Sequence, residues 1–315
     1  MPPTMSNPRI SVVVLTHNRI AQLIETLSCL QALPERPPIV VADNASSDGT
    51  VRIVDLLFPG VRVVQCATNL GAAGRNRGVA CVQTDYVAFC DDDTCWQPGA
   101  LAEAVRVLDA SPQIGIVNAR VAVGTDGADD PTCAQMAHSP LDAAGLPGPS
   151  LVGYMAGACV MRTALFRALG GYDARLFIGG EEQRFALDVL TARRAIVYCA
   201  SIVTVHRPSP VRDSPLRRRM LARNAAWTAW QRLPLYAALT ASAQAFACFY
   251  RERTLCRDGL ALLRGLVWAL RERHVVPLRV LALRAEVQRA ERRRARHAAA
   301  DSVHGNAARG TVSPD

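Results

Sequence analysis

The sequence contains no lysine, so all 36 of its basic residues are arginines, and no function follows from that preference. Its ten cysteines include no CxxC pair. The N-terminus, Met1–Thr4, is not a charged segment leading into an apolar core, so we expect no secretory signal. The uncharged run Leu233–Tyr250 is too short and too rich in Ala, Ser and Thr for a membrane-spanning helix. We therefore expect a cytoplasmic protein whose thiols are reduced.

Charge is distributed unevenly along the chain. Residues 1–200 carry 15 arginines and 19 acids, a net charge of −4, whereas residues 201–315 carry 21 arginines and 8 acids, a net charge of +13. A basic C-terminal segment suits an anionic membrane surface, nucleic acid or a solvated tail. No nucleic-acid-binding motif accompanies the charge, so we expect no nucleic acid partner.

Apolar β-branched runs alternate with helical segments through the first part of the chain. This pattern predicts an α/β fold: a doubly wound, mostly parallel sheet with helices on both faces. The predicted strands are Ile10–Leu15, Pro38–Ala42, Val61–Gln65, Tyr86–Cys90 and Ile114–Val117, and the predicted helices are Ala21–Leu33, Thr50–Leu57, Gly74–Val82 and Gly99–Ala110.

The remainder of the chain has a less regular pattern. Thr125–Ser150 lacks a period and is predicted to be a long loop. Further predictions are helices at Met161–Leu169 and Glu182–Ala192 and a strand at Ala195–Val205. We expect a disordered N-terminus at 1–8, an α/β domain at 9–210, a basic amphipathic helical extension at 211–296 and a disordered tail at 297–315.

Three consecutive aspartates, Asp91, Asp92 and Asp93, directly follow the apolar run Tyr86–Cys90. Adjacent carboxylates repel one another, so folding alone gains little from them. A hard divalent cation takes oxygen ligands and bridges to substrate phosphates, which is a physical reason for such a cluster. A solvated acidic turn is the alternative.

Polar motifs also follow the three preceding predicted strands, at residues 16–19, 43–50 and 69–78. Each motif alone is explained by turn or helix-cap chemistry, since Asn, Asp, Ser and Gly favour both. In open α/β sheets, however, ligands bind outside the carboxyl ends of the strands. The motifs and the aspartates together therefore predict one ligand-binding crevice.

Four motifs follow one another in this chain: Thr-x-Asn-Arg, Asp-Asn-x-Ser-x-Asp-Gly-Thr, Asn-Leu-Gly-x-Ala-Gly-x-Asn-Arg-Gly and Asp-Asp-Asp. In this order they resemble family 2 glycosyltransferases, over roughly residues 9–210. The resemblance implies a GT-A fold and inverting transfer of a sugar from a nucleotide-diphosphate donor to a hydroxyl of a glycan or lipid-linked acceptor. It implies donor contacts from Thr16, Asn18, Arg19, Asp43, Asn44, Asn69, Gly74, Arg77, Asp91 and Asp92.

The same resemblance implies a metal cofactor, Mg²⁺ or Mn²⁺. Asp91 and Asp93 match the family's Asp-x-Asp pair, and His206, which follows a predicted strand, matches a position that can complete the metal site. The implied metal residues are thus Asp93, Asp91 and His206. Asp92 lies between the pair, and strand alternation predicts that it points the other way.

Glu181 and Glu182 stand where the family usually has an acidic pair ending in Asp, after matching segments at Gly157–Arg162 and Gly170–Asp173. Glu182 occupies the position of the catalytic base, but its longer side chain departs from the usual residue. Glu182 and Glu181 both remain candidates for the base. A pair of acids placed at a helix N-terminus because of the macrodipole is the alternative.

The expected function is sugar transfer in cell-surface polysaccharide or glycolipid synthesis. A sugar nucleotidyltransferase would open with a Gly-rich phosphate loop, which Thr16–Ile20 is not. A non-catalytic relative that binds nucleotide or acts as a membrane scaffold is the other alternative. The segment Leu216–Trp230 combines Arg with Leu and Trp, which suits peripheral contact with the cytoplasmic face of an anionic membrane or an appendage packed on the α/β domain.

Overall fold

The computed structural model describes residues 8–124, 126–143, 145–208 and 214–309, with only the backbone described for 214 and 297–309. Its strands are β1 Ile10–Thr16, β2 Ile39–Asp43, β3 Arg62–Gln65, β4 Tyr86–Asp91, β5 Thr94–Trp96, β6 Ile114–Val123, β7 Ala128–Asp129, β8 Cys159–Arg162 and β9 Ala195–His206. Its α-helices are α1 Ile20–Gln31, α2 Thr50–Leu57, α3 Gly74–Ala80, α4 Ala100–Ala110, α5 Pro131–Ala137, α6 Thr163–Ala168, α7 Glu181–Thr191, α8 Ser214–Arg232, α9 Leu235–Arg251, α10 Leu255–Arg271 and α11 Leu278–Arg309.

The strands form one sheet in the order β3-β2-β1-β4-β8-β6-β9-β5, with β7 paired to β6. β1 lies between β2 and β4 and is parallel to both. Thr16 pairs with Asp43 of β2, and Leu15 pairs with Asp91 of β4. The carboxyl ends of these three strands therefore meet at one edge of the sheet, as parallel registry requires. The expectation of an α/β fold built on one central sheet is confirmed.

Beyond β4 the sheet becomes mixed. β8 is inserted between β4 and β6 and is antiparallel to both, whereas β9 runs parallel to β6 and β5 pairs antiparallel with β9. Thr94 pairs with His206 in this last ladder, so the residue that follows Asp93 is paired with the end of β9. The ladder brings His206 back to the edge where the triple aspartate lies.

Several segments differ from the prediction made from the sequence, and β5 at Thr94–Trp96 is a strand that was not predicted. The helix predicted at Met161–Leu169 begins only at Thr163, because Cys159–Arg162 form backbone pairs with strands on both sides as β8. The segment Thr125–Ser150, predicted as a loop, contains β7 and α5. Asp130 caps α5, its carboxylate accepting a hydrogen bond from the Thr132 backbone N–H at 2.8 Å.

The core on one face of the sheet is centred on aromatic rings. Phe166 is buried on α6, and its ring centroid lies 5.3 Å from those of Phe89 and Tyr172 and 5.2 Å from that of Phe185. The ring contacts with Phe89 and Tyr172 are edge-to-face, a geometry that adds to the free energy gained from burial alone. Through Phe166 of α6, this cluster joins β4, which ends at Asp91, to α7, which begins with Glu181 and Glu182.

The C-terminal helices pack on the α/β domain. α8 packs against α9 and α10 through Ala226, Phe249 and Leu262. Arg232 of α8 forms an ion pair with Asp188 of α7 at 2.6 Å, which ties this extension to the domain. α11 extends to Arg309 and so covers the first part of the tail for which the sequence predicts disorder, while residues 1–7 and 310–315 lie outside the described residues.

Replacing Phe166 with alanine should lower the free energy of unfolding by about 3–5 kcal/mol, because it leaves a cavity among three rings. Urea denaturation of both proteins measures the difference. Leu56→Ala is the matched control, since Leu56 is 78% exposed and its truncation should change the free energy by less than about 0.5 kcal/mol. Similar losses in the two variants would contradict the assignment of Phe166 to the core.

Candidate active site

A cleft of about 460 Å³ opens at the sheet edge where β1, β2 and β4 end. Its floor is formed by residues that follow these strands, and its walls by the turn at Gly71–Ala72, the segment Ala156–Gly157 and the start of α7. The cleft brings together predicted site residues that are far apart in the chain: Thr16, Arg19, Asn44, Asn69, Asp91, Asp92, Asp93, Glu181 and Glu182.

The triple aspartate forms the turn between β4 and β5. β4 ends at Asp91, and Asp92 and Asp93 occupy the turn itself. Both turn carboxylates bind the same guanidinium, with Arg19 Nη1 2.6 Å from Asp92 Oδ1 and Arg19 Nη2 3.0 Å from Asp93 Oδ2. The prediction that Asp92 points away from Asp93 is therefore wrong, because strand alternation ends where the strand does.

Asp92 is buried and is held by hydrogen bonds from two threonines. The Thr16 hydroxyl donates to Asp92 Oδ2 at 2.9 Å, and the Thr26 hydroxyl donates to the Asp92 backbone carbonyl at 2.9 Å. Burial raises the pKa of Asp92 to about 7, against the opposing effects of Arg19 and Thr16. Thr16 and Thr26 thus hold the turn in place from beneath the cleft.

Asp93 lies between a cation and an imidazole. His206 Nε2 is 3.6 Å from Asp93 Oδ1, on the opposite side from Arg19. Burial favours the neutral form of this carboxyl, but the hydrogen bond from His206 and the charge of Arg19 outweigh it and lower the pKa of Asp93. A carboxylate that stays ionised beside a histidine is suited to hold a divalent cation.

A metal at this position would have few protein ligands. Over the described parts of the chain, no group of three or more His, Cys, Asp or Glu side chains is arranged to hold an ion. Asp93 nevertheless fits a site in which one or two carboxylates and substrate phosphates share a divalent cation, and His206 lies beside it. Asp91, the third residue of the predicted set, pairs instead with Arg75.

Arg75, which the sequence analysis did not select, is a central charge of the cleft. It is 4% exposed, pairs with Asp91, and lies with its guanidinium carbon 5.9 Å from the centre of the Phe89 ring. Its charge also lowers the pKa of Glu182. Helical spacing was the signal that could have found it. Gly74 and Gly78 are one turn apart on the face of α3 that packs on the sheet, and Arg75 lies next to Gly74. Arg77, the residue selected from the sequence, is exposed.

Glu181 and Glu182 begin α7 directly after Gly180, which has φ of +90°. The Ala156 backbone N–H donates to Glu182 Oε1 at 3.1 Å and so orients this carboxylate in the cleft. Burial, more than any other influence, raises the pKa of both carboxyls. Glu181 is 6% exposed, and its Oε2 has no hydrogen-bond partner among the described residues.

Asn44 connects two of the predicted loops beneath the cleft. Its side-chain amide donates to the Gly71 carbonyl at 2.8 Å and accepts from the Leu70 N–H at 3.3 Å. A Cβ on Gly74 would lie 2.4 Å from Asn44 Oδ1, so only glycine allows α3 to approach this closely. Asn69 shapes the same turn by accepting a hydrogen bond from the Gly71 N–H at 2.9 Å.

Asn18 and Asp43 hold the loops after β1 and β2 together. Asn18 has φ of +53°, donates its N–H to Ser46 Oγ at 2.9 Å and accepts from the Ser47 N–H at 2.7 Å. Asp43 is fully buried and accepts a hydrogen bond from the Ser46 N–H. The described lining of the cleft does not include Asn18, Asp43, Gly74, Arg77 or His206.

The helical extension also contributes to the cleft. Leu216, Arg217 and Leu221 of α8 line the side that faces Phe177 and Ile178. The sequence leaves open whether this segment contacts a membrane or packs on the α/β domain, and no local pattern indicates that it reaches the cleft.

One protein family matches the first half of the chain. The model described as glycosyl transferase family 2 matches residues 11–170, which is half of the chain. The chain belongs to this family. The matched segment includes the strands β1 to β4, the triple aspartate and β8, but it ends before Glu181 and Glu182.

Similar proteins include two from bacteria. An uncharacterized glycosyltransferase of Haemophilus influenzae is 30% identical over 110 residues, which cover 34% of this chain and 37% of that protein. The N-acetylglucosaminyl-diphospho-decaprenol L-rhamnosyltransferase of Mycobacterium tuberculosis is 25% identical over 230 residues, covering 62% of this chain and 75% of the relative. Both relatives are named as glycosyltransferases, and this chain spans about a third of the length of the first and three quarters of the second.

Solved structures of glycosyltransferases share the fold. The mannosyltransferase PcManGT from Pyrobaculum calidifontis, in complex with GDP-Man and Mn²⁺, superposes with a TM-score of 0.53 at 20% identity, over 90% of this chain and 88% of that one. Residues 1–349 of S. aureus TarS, in complex with UDP-GlcNAc, give a TM-score of 0.57 at 18% identity, over 87% and 83%. Within the residues described, no helix is both long and apolar enough to cross a membrane.

Proposed function

We propose that this glycosyltransferase transfers a sugar, with inversion, from a nucleoside-diphosphate donor to a hydroxyl of a glycan or lipid-linked acceptor, in the synthesis of a cell-surface polysaccharide or glycolipid. One observation carries the proposal: the acidic turn Asp91–Asp93 and the Glu181–Glu182 pair face the same cleft although they are about 90 residues apart. The cleft has space for a donor between them, with cationic Arg19 and Arg75 in its lining.

The nucleotide is proposed to bind on the side of β1 and β2. Thr16, Arg19, Asn44 and Asn69 border this part of the cleft, and the loop bonds of Asn18 and Asp43 support it from behind. Gly74 and Arg77 are assigned to the same role by resemblance. Gly74 would act by letting α3 pack closely on Asn44, and Arg77 would act from the exposed surface of α3. Asp91 and Asp92 complete the donor side, where the sugar and ribose would lie.

A divalent cation, Mg²⁺ or Mn²⁺, would be held by Asp93 and His206, with Asp91 nearby on the same turn. When bound, it supplies positive charge that stabilises the departing nucleoside diphosphate. Arg19 already donates to Asp93 and so keeps this carboxylate ionised and oriented.

Glu182 is proposed to be the general base. Its carboxylate, oriented by the Ala156 N–H, takes the proton of the acceptor hydroxyl as that oxygen forms a bond to the anomeric carbon. The bond from this carbon to the diphosphate oxygen breaks on the opposite face and leaves its electron pair on the nucleoside diphosphate. A single displacement inverts the configuration at the anomeric carbon. Glu181 is more enclosed, which favours a structural role for it.

Glu182→Gln should reduce kcat by roughly 10²- to 10⁴-fold, the range over which a general base contributes. Glu181→Gln, its neighbour in the same helical turn, should reduce kcat much less. Sugar transfer or donor hydrolysis by the purified proteins measures both. A larger loss in the Glu181 variant would move the base to that residue, and wild-type turnover in both would remove the proposed mechanism.

The pH dependence of kcat/KM should reflect the environment of Glu182. A base must be ionised, and burial raises the pKa of Glu182 above the ordinary value of 4.5, so activity should fall on acidification at a pH above 4.5. Because Arg75 lowers this pKa, Arg75→Met should move the acidic limb to higher pH. A limb that stays in place in Arg75→Met would contradict the assignment.

Asp93→Ala should abolish metal-dependent nucleotide binding. Calorimetry with UDP, GDP and dTDP, with and without Mn²⁺, identifies the nucleotide for the wild type, and the variant should lose the part of the affinity that depends on Mn²⁺. Asp109→Ala is a control that should bind as the wild type does. Asp109 accepts a hydrogen bond from Tyr86 at the start of β4, and the cleft lies at the other end of that strand. If folded wild type binds none of the three, a non-catalytic scaffold becomes the better interpretation.

The extension is proposed to contact an anionic membrane, which would suit a lipid-linked acceptor. On α10, Leu260, Leu263, Val267 and Leu270 form a stripe of side chains that are each about half exposed. Arg257, Arg264 and Arg271 recur every seventh residue and so follow one edge of this stripe. Apolar and basic side chains in this arrangement suit a helix lying at a lipid surface.

Vesicle flotation should detect this contact. Wild type should bind vesicles that contain phosphatidylglycerol but not neutral ones, and high salt should release it. The double variant Arg264→Gln/Arg271→Gln should bind roughly tenfold to thirtyfold less, at about 1 kcal/mol per arginine. Arg52→Gln/Arg62→Gln, which removes the same charge from the α/β domain, should bind normally. Equal binding by the two double variants would contradict a surface on α10.

A further inference from the structure

We propose that Asn224 of α8 is a positioning residue for the candidate base: it holds the loop at residues 176–180 and thereby fixes the start of α7, where Glu182 lies. The helical extension is then part of the active site. This inference rests on the proposed function, since it assigns Asn224 a role in placing the base.

Asn224 is completely buried, and its side-chain amide is directed at the backbone of this loop. Its Nδ2 lies 2.7 Å from the Leu176 carbonyl oxygen, 3.2 Å from that of Ile178 and 2.5 Å from that of Gly179. The amide carries two hydrogens, which are shared among three acceptors. Its own Oδ1 accepts from Arg223 Nε at 3.0 Å, so the amide orientation is fixed as well.

The loop that Asn224 binds has an unfavourable backbone conformation. Phe177 has φ of +61°, in the left-handed region that a bulky side chain rarely adopts. Gly179 and Gly180 follow at +83° and +90°. Residues in such conformations persist only when surrounding contacts hold them.

The loop is held from two sides. On the side of the sheet, the Ala72 N–H donates to the Phe177 carbonyl at 2.6 Å, and a Cβ on Gly71 would lie only 1.9 Å from that same oxygen. On the other side lies Asn224, and a Cβ on Gly180 would be 3.1 Å from the Asn224 Cβ. Two contacts that are distant in sequence therefore determine where the loop ends and α7 begins.

The position of α7 determines where the Glu182 carboxylate lies relative to the donor. Reaction rates depend steeply on such placement, and a displacement of about 1 Å can cost about 10²-fold. Ala226 of α8 packs against Phe249 and Leu262, and such apolar contacts would hold α8 in place without a buried amide. A buried amide with three backbone acceptors instead specifies one loop geometry.

Asn224→Leu tests the inference, because leucine is similar in size but has no donor. The matched control is Thr228→Val, one turn further along α8, since the Thr228 hydroxyl is buried and has no hydrogen-bond partner among the described residues. Hydrogen–deuterium exchange should become faster in peptides that cover 176–184 in Asn224→Leu only. The same variant should lose roughly 10- to 100-fold in kcat while its donor KM changes little.

Asn224→Ser keeps one donor and should give an intermediate kcat; it carries the test if Asn224→Leu does not fold. Unchanged exchange in 176–184, or normal kcat in a folded variant with faster exchange, would overturn the inference. So would equal losses in Thr228→Val, or a loss confined to donor KM. Wild type that transfers no sugar would overturn the proposed function instead, and the exchange measurement would still test the contact of Asn224 with the loop.

Discussion

The cleft depends on keeping five carboxylates together at one sheet edge. Asp91, Asp92, Asp93, Glu181 and Glu182 all line it, and such a group would repel itself apart without compensating charge. Arg19 binds Asp92 and Asp93, and buried Arg75 binds Asp91 while its charge reaches the glutamates. Because the two arginines come from the segments after β1 and β3, the balance of charge exists only when the parallel sheet has formed.

The sheet itself divides the site into two sides. The parallel strands β1, β2 and β4 bring the donor-side loops to one edge, because parallel registry aligns their carboxyl ends. The mixed part adds two more residues to the same edge: Ala156, which precedes the antiparallel strand β8, and His206, which ends β9. The donor side thus belongs to the regular part of the fold, and the candidate base belongs to the irregular part.

The helical extension packs on the side of the site that carries the candidate base. Arg232 pairs with Asp188 on α7, Asn224 binds the loop before α7, and Leu216, Arg217 and Leu221 border the cleft. Its outer face, on α10, carries exposed leucines and arginines. Under the proposed membrane contact, one extension would connect a lipid surface with the position of the candidate base.

Much of this protein was readable from local sequence. The β-branched runs, the motif that follows each strand and the triple aspartate predict the parallel half and its crevice, because hydrophobic period and turn chemistry act over a few residues. Glu181 and Glu182 were selected by their resemblance to the family's acidic pair, since local chemistry alone also explains two acids at a helix N-terminus. Short elements such as β5 and β8 were not, since three or four residues have no measurable period.

Only the tertiary structure decided which polar residues face the cleft. It placed Arg75 inside and Arg77 outside, directed Asp92 and Asp93 to the same arginine, and brought Asn224 against a loop 45 residues earlier in the chain. Side-chain direction at a strand end or a first helical turn depends on the backbone of the turn and on neighbours distant in sequence. The sequence by itself determined the fold class and the family. Packing between distant segments decided which polar residues meet in the cleft and how their charges are paired.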